Sequence, residues 1–184
     1  LAGPKGKIEN LRVIAPHRPK TQVEISKTDA AALGIKPPVR DSGKLEGSSG
    51  VKIIGPRGEL DLKEGVILAK RHVHFAPEEA REFGIKEGEL VRVRAGISGD
   101  RELVFENVLC RISDKFKLEF HLDTDEANAS LVLRSTVKLT GAKVESMISM
   151  CIGWKSAALV ASSAMIFTAP SVKGRPSSML SNCM

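Results

Sequence analysis

The sequence predicts a mainly β fold with short helices, arranged as two related small β-barrel units, each capped by a short α-helix. Three observations carry this. Apolar and polar residues alternate with a period of two in several short runs, the pattern of half-buried strands. Turns rich in Gly, Pro and Ser punctuate those runs. An internal repeat then relates two stretches of chain. Gly3-Pro4-Lys5-Gly6-Lys7-Ile8 recurs as Gly55-Pro56-Arg57-Gly58-Glu59-Leu60, and residues 26–36 recur as residues 76–86, at offsets of 52 and 50 residues. Two copies are too few for a solenoid. Short strands with such turns favour small barrels over a doubly wound sheet.

Each unit opens on its Gly-Pro-x-Gly turn. In the first, Thr21-Gln22-Val23-Glu24-Ile25 reads as a strand. Thr21, Val23 and Ile25 share one face, and Gln22 and Glu24 share the other. The loop before it, Pro16-His17-Arg18-Pro19-Lys20, is rigid and cationic, and His17 reads as a loop residue. Ser26 and Asp29 form a variant capping box for a short helix. Gly34 is placed to end that helix in a left-handed conformation. Residues 37–43 then lead, through Ser42, into a Gly/Ser linker at 46–50, which sets the first unit at 1–46 and the second at 51–129.

The second unit repeats the plan. Gly65-Val66-Ile67-Leu68-Ala69 is a short apolar strand that runs on into Lys70-Arg71-His72-Val73-His74-Phe75. Pro77 suits a first helical turn, Glu78 and Glu79 suit its positive end, and Gly84 suits its terminus. Further strands are predicted at 89–94, 102–108, 109–112 and 117–123. In the last, Leu118, Phe120 and Leu122 face the core, while Glu119, His121 and Asp123 face away. Thr124 or Asp123 caps a turn over 125–128.

Charge bounds the function. The net charge is +6, yet residues 1–129 hold 22 basic and 21 acidic residues, against six and one in residues 130–184. The excess therefore sits in the tail. No basic stripe with stacking aromatics marks the core, which argues against nucleic-acid binding. Cys110, Cys151 and Cys183 form no CxxC pair and no disulfide framework, which suits a reducing compartment. The opening residues do not read as a basic-then-apolar signal segment. The chain opens on Leu1 rather than Met, so a start further upstream is expected.

The chemistry gathers at His72-Val73-His74. On a strand the two imidazoles share a face, roughly 7 Å apart at Cα, and both can turn to one ion. Neutral imidazole suits zinc and similar metals. Such a pair alone can equally be two polar residues on a solvated face. His121 and Glu24, however, also stand on polar strand faces just before a capped turn. Three imidazoles and a carboxylate make a chemically sensible metal shell.

These residues carry a resemblance. Lys70-Arg71-His72-Val73-His74, the block Leu118-Glu119-Phe120-His121-Leu122-Asp123-Thr124-Asp125-Glu126-Ala127-Asn128, and Thr21-Gln22-Val23-Glu24-Ile25-Ser26 resemble the PduL-type phosphotransacylases, also called phosphate propanoyltransferases. The likeness runs from about Gly3 to Ala129. It implies paired β-barrel domains with two metal ions, usually zinc and otherwise a divalent ion such as cobalt. It implies an acyltransferase that interconverts acyl-CoA (propanoyl-CoA or acetyl-CoA) and phosphate with acyl phosphate and coenzyme A. It places the protein in the cytoplasm or in the lumen of a bacterial microcompartment for propanediol or similar substrates. There, shell or cargo proteins would be partners, and a homo-oligomer stays open. By motif, Glu24, His72, His74 and His121 match metal ligands, and Arg18 matches a phosphate-binding arginine. Gln22, Ser42, Arg111 and Asn128 match other pocket positions. The expected reaction is direct attack of phosphate on the acyl carbonyl, with no covalent acyl-enzyme, since Cys110 reads as a packed apolar residue.

The sequence departs from the resemblance in two places. The family's earlier HxH strand, which supplies further metal ligands, would lie upstream of Leu1. The tail, 130–184, differs in character and reads as an atypical extension, either disordered or frameshifted. It holds all five Met, the only Trp and two of three Cys. Its 147–170 stretch is apolar enough to weigh as a membrane span or a packed helix, although neither periodicity supports a fold there. Two other functions stay open: a catalytically inactive metal-binding remnant, and a metal-dependent thioester hydrolase.

Overall fold

A computed structural model of the chain describes residues 1–14, 17–95 and 100–130, together with the backbone of 136–140, 146–149 and 165–167. Strands dominate it, with three short helices. The first sheet contains β1 (Arg12–Val13), β2 (Gln22–Glu24), β3 (Val39–Arg40), β4 (Ser49–Gly55) and β5 (Gly58–Ala69), interleaved with α1 (Lys27–Leu33). The second contains β6 (His72–Phe75), β7 (Leu90–Ala95), β8 (Leu103–Ile112) and β9 (Glu119–His121), with α2 (Pro77–Phe83) and α3 (Thr124–Ala129). In the tail, β10 (Thr136–Thr140) and β11 (Ser146–Ser149) extend the second sheet, and β12 (Met165–Phe167) lies between β1 and β2. The rest of the apolar 147–170 stretch lies outside the described residues. Among those residues no helix is long and apolar enough to cross a membrane.

The long strand β5 is the spine of the first sheet. Gly55-Pro56-Arg57-Gly58 turns β4 back onto it, and its C-terminal half pairs in parallel with β2 and β3. Gly65, where β5 passes from pairing with β4 to pairing with β2 and β3, has φ 137°, and a Cβ there would stand 2.7 Å from the carbonyl oxygen of Thr21. Gly65→Ala should therefore lower stability by about 2 kcal/mol or more, read as a fall in urea midpoint at unchanged slope.

In the second sheet the order is β11-β10-β7-β8-β6-β9, so β6 lies between β8, parallel to it, and β9, antiparallel. The two strands expected at 102–108 and 109–112 are one strand, β8. Within it Glu106 and Asn107 are both exposed, Asn107 has φ 57°, and the register against β7 slips between Val91 and Val93. That is a bulge, where asparagine tolerates the left-handed conformation.

The helices follow the capping chemistry. Ser26 and Asp29 close a reciprocal box on α1. On α2 only half of the box exists, because Ala76 has no acceptor, and Glu79 takes the Ala76 N–H at 2.7 Å. Gly34 and Gly84 end the two helices with φ of 75° and 65°. Each sheet has its own apolar cluster. Val23, Ile25, Leu33 and Val66 centre the first, and Val73, Phe75, Val93 and Phe120 centre the second.

Three expectations change in detail. Barrel closure requires the edge strands of a sheet to pair; among the described residues neither sheet closes, so both are open sheets. The 46–50 linker leads into β4, which joins β5 in the first sheet, so the chain changes sheets at 70–71 rather than at 46–51. The run 65–75, read as one strand, is the end of β5 and the whole of β6, and Ile67 and Leu68 are both buried because β5 is covered on both faces at its end.

Candidate metal centre

The same local plan occurs three times. Glu24-Ile25-Ser26, His74-Phe75-Ala76 and His121-Leu122-Asp123 each run from a polar strand residue, through a buried apolar one, to a helix N-cap. Ile25, Phe75 and Leu122 are in the core. Strand alternation then turns the polar residue to the opposite face, at the mouth of the following helix.

Register brings the histidines together. His72 stands opposite His121 across the β6–β9 ladder, and His74 follows two residues on. One ligand atom from each of His72, His74 and His121 lies within 4.8 Å of the others. The His72 and His121 rings stack at 4.7 Å, and Phe116 stacks on His74 at 3.8 Å. His72 Nδ1 is 2.9 Å from the carbonyl oxygen of Lys70, which makes it the donor and leaves Nε2 free to bind. Such an outer hydrogen bond fixes the tautomer of a ligating imidazole. The Nε2 atoms of His74 and His121 are buried with no hydrogen-bond partner. Glu119 Oε2 lies 3.1 Å from His121 Nε2, but out of line for a hydrogen bond. Buried polar atoms are almost always satisfied. Orphaned, converging imidazole nitrogens fit a divalent metal of the zinc type, which would be held by His72, His74 and His121.

Burial, then the neighbouring His121, pushes the His72 ring down to about 4 and the His74 ring to about 3. Both are therefore neutral, the form that ligates. The sign for stability follows. An unfolded imidazole takes its proton near 6.5, so below that pH the unfolded chain binds more protons than the folded one. The metal-free protein should lose stability as pH falls from 6.5 towards 4, by on the order of 3 kcal/mol from His72 alone, read as urea midpoints across that range.

Glu24 is not part of the histidine set. Its Oε1 accepts from Ser42 Oγ at 2.8 Å and from Gln22 Nε2, and Gln22 Nε2 also donates to Ser42 Oγ at 2.9 Å. Gly43 N–H fixes the Gln22 oxygen at 2.8 Å. So the buried Gln22 and Glu24 of β2 and the half-buried Ser42, in the loop after β3, form one hydrogen-bonded group beside the first sheet. Beside it opens a cleft of about 640 Å³ lined by Lys20, Arg40, Gly43, Lys44, Leu45 and Glu46.

Arg111 stands beside His74 in the β6–β8 register, with its guanidinium 6.0 Å over Phe116. Its charge helps to hold both His72 and His74 unprotonated. Arg18 is half-buried in the loop before β2, His17 is exposed there, and Asn128 is exposed on α3. Cys110 is fully buried in the second core, and burial pushes its thiol up to about 12, so it is no nucleophile.

Sequence reading missed three neighbours. Phe116, in the turn before β9, covers His74. Glu119 stands opposite His74 in the β6–β9 register. Asp41, held low by its hydrogen bond to Lys44, sends its field to His72. Asp41 could have been suspected as the neighbour of Ser42; nothing in the sequence marks Phe116.

The family profile of phosphate propanoyltransferase matches residues 1–133. The phosphate propanoyltransferase of Thermotoga maritima is 56% identical over 132 residues, 72% of this chain and 62% of that protein. Those of Priestia megaterium and Citrobacter freundii are 48% and 50% identical over 132 and 131 residues, covering 72% and 71% of this chain and 60% and 61% of theirs. The chain thus spans about three fifths of the length of these curated relatives. The matched segment contains β1 to β9 and every residue of the histidine set, and on that match the chain belongs to the phosphate propanoyltransferase family.

Proposed function

We propose that this chain carries the metal- and phosphate-handling part of an acyltransferase that exchanges coenzyme A and phosphate on an acyl group. The observation that supports it best is the set of unpartnered histidine nitrogens beside the Arg111 guanidinium. A divalent ion held there, zinc or cobalt, supplies a Lewis acid for a thioester carbonyl and a partner for a thiolate. Arg111, with Arg18, offers planar forks that match a phosphate oxygen pair. Phosphate gripped there is the nucleophile, and Gln22, Ser42 and Asn128 are assigned to orienting the substrates. With Cys110 inert, transfer is direct. Glu24 is retained as a second metal ligand, competing with its present partners Gln22 and Ser42. Location in the cytoplasm or a microcompartment lumen rests on the resemblance alone.

The test is thiol release from propanoyl-CoA and acetyl-CoA, with and without phosphate, on this chain and on one extended upstream. Release that depends on phosphate is expected. Equal release without phosphate would replace the transferase by a hydrolase. Silence from both chains with metal still bound would leave a metal-binding remnant.

A further inference from the structure

The helix α3 has six residues, too few to be stable alone, yet it is fastened throughout. Its N-cap Asp123 accepts from Glu126 N–H at 2.9 Å. Glu126 Oε1 meets Arg71 Nη1 at 2.7 Å, and Arg71 directly precedes His72. At the far end Arg101 Nε donates to the Ala129 carbonyl at 3.1 Å. All these anchors lie within the second unit.

One more contact leaves it. Asp125 Oδ2 accepts from the backbone N–H of Thr28 at 2.8 Å, across 97 residues of sequence. Thr28 is the second residue of α1, and Asp125 is the second residue of α3. An N–H in the first turn of a helix has no partner within its own helix, so the Thr28 group is available to an outside acceptor. The two helix starts therefore lie side by side, with one carboxylate between their positive ends. Thr28 is four residues after Glu24, and Asp125 is four residues after His121. The bond joins equivalent points on the two strand-to-helix junctions that carry candidate ligands from different sheets.

We propose that Asp125 is a positioning residue. It keys the β9–α3 junction of the second sheet to the β2–α1 junction of the first. This holds the histidine set and the Gln22–Glu24–Ser42 group at a fixed spacing. The inference rests on the transacylase reading for its consequence, although not for its geometry. Misplacing a bound reactant by about 1 Å can cost on the order of 100-fold in rate.

The experiment compares Asp125→Ala, Asp125→Asn and Thr28→Pro in the full chain. Proline is tolerated in a first helical turn and removes the Thr28 N–H donor while leaving the Asp125 carboxylate in place. Each variant is read by kcat and KM for phosphate-dependent thiol release, by cobalt bound, and by amide exchange at Thr28 in the two aspartate variants. Asp125→Ala should lower kcat about tenfold or more, leave KM for phosphate within twofold, keep the cobalt stoichiometry and unprotect the Thr28 amide. Asp125→Asn keeps an acceptor oxygen and should restore most of the rate. Thr28→Pro should match the alanine variant, and the double variant should lose no more than either alone. A Thr28 amide still protected in Asp125→Ala overturns the proposal. So does an unchanged kcat, an asparagine variant as poor as alanine, or additive losses. If the parent chain and the one extended upstream both release no thiol, the transacylase reading fails separately. The keying is then judged by Thr28 exchange together with the cobalt absorption spectrum: both changing in Asp125→Ala supports it, and either staying unchanged overturns it.

Discussion

His121→Ala is expected to abolish tight metal binding and to cut phosphate-dependent thiol release by about 1,000-fold. His121 contributes one of the three converging ligand atoms, and its Nε2 makes no hydrogen bond. A site of two imidazoles cannot hold zinc as three can. Losing the Lewis acid removes several kcal/mol of charge stabilisation, at about 1.4 kcal/mol per tenfold. Two measurements separate this from misfolding. Without metal, the variant should melt close to the parent, because the lost ring packing is offset by removal of a buried unsatisfied atom. With zinc or cobalt added, the parent's melting point should rise and the variant's should not. His17→Ala, in an exposed loop, should behave as the parent. A variant that keeps stoichiometric cobalt and full rate would remove the histidine set from the chemistry.

Arg111→Lys should raise KM for phosphate by about 10- to 100-fold while leaving the metal content unchanged. The charge persists, but the fork does not. Hydrogen bonds to a charged group contribute about 1.5–3 kcal/mol, and an ammonium cannot match two phosphate oxygens at once. The planar contact over Phe116, which itself covers His74, is lost as well. A lysine variant with unchanged KM for phosphate would mean that Arg111 only tunes the histidines. In that case Arg18 would be the remaining arginine to test for the phosphate.

Local chemistry reads directly from sequence, and here it reads well. The Ser26–Asp29 box, the left-handed Gly34 and Gly84, and the core alternation of Phe120 and Leu122 all depend on residues within a few positions of one another. The histidine pair was legible for the same reason, since period two puts His72 and His74 on one face. His121 was nearly as legible, because its strand ends in the same apolar-then-cap pattern.

What the sequence could not fix was everything that depends on which strand lies beside which. The apolar run from Gly65 to Ala69 leads without a turn residue into Lys70-Arg71-His72-Val73-His74-Phe75, which hid the change of sheets at Lys70–Arg71, because a strand end buried on both faces gives no alternation to interrupt. The strands read at 102–108 and 109–112 are one strand, and its bulge at Glu106–Asn107 shows only in the register against the partner strand β7. Pattern alone grouped Glu24 with the histidines. Its hydrogen bonds with Gln22 and Ser42 come from tertiary structure, and Ser42 reaches it through a loop whose path only packing decides. Phe116 over His74, Arg111 beside it, and Asp125 on the Thr28 amide are contacts between distant parts of the chain. Their geometry is set by strand register and helix placement, which residue spacing along the chain does not encode.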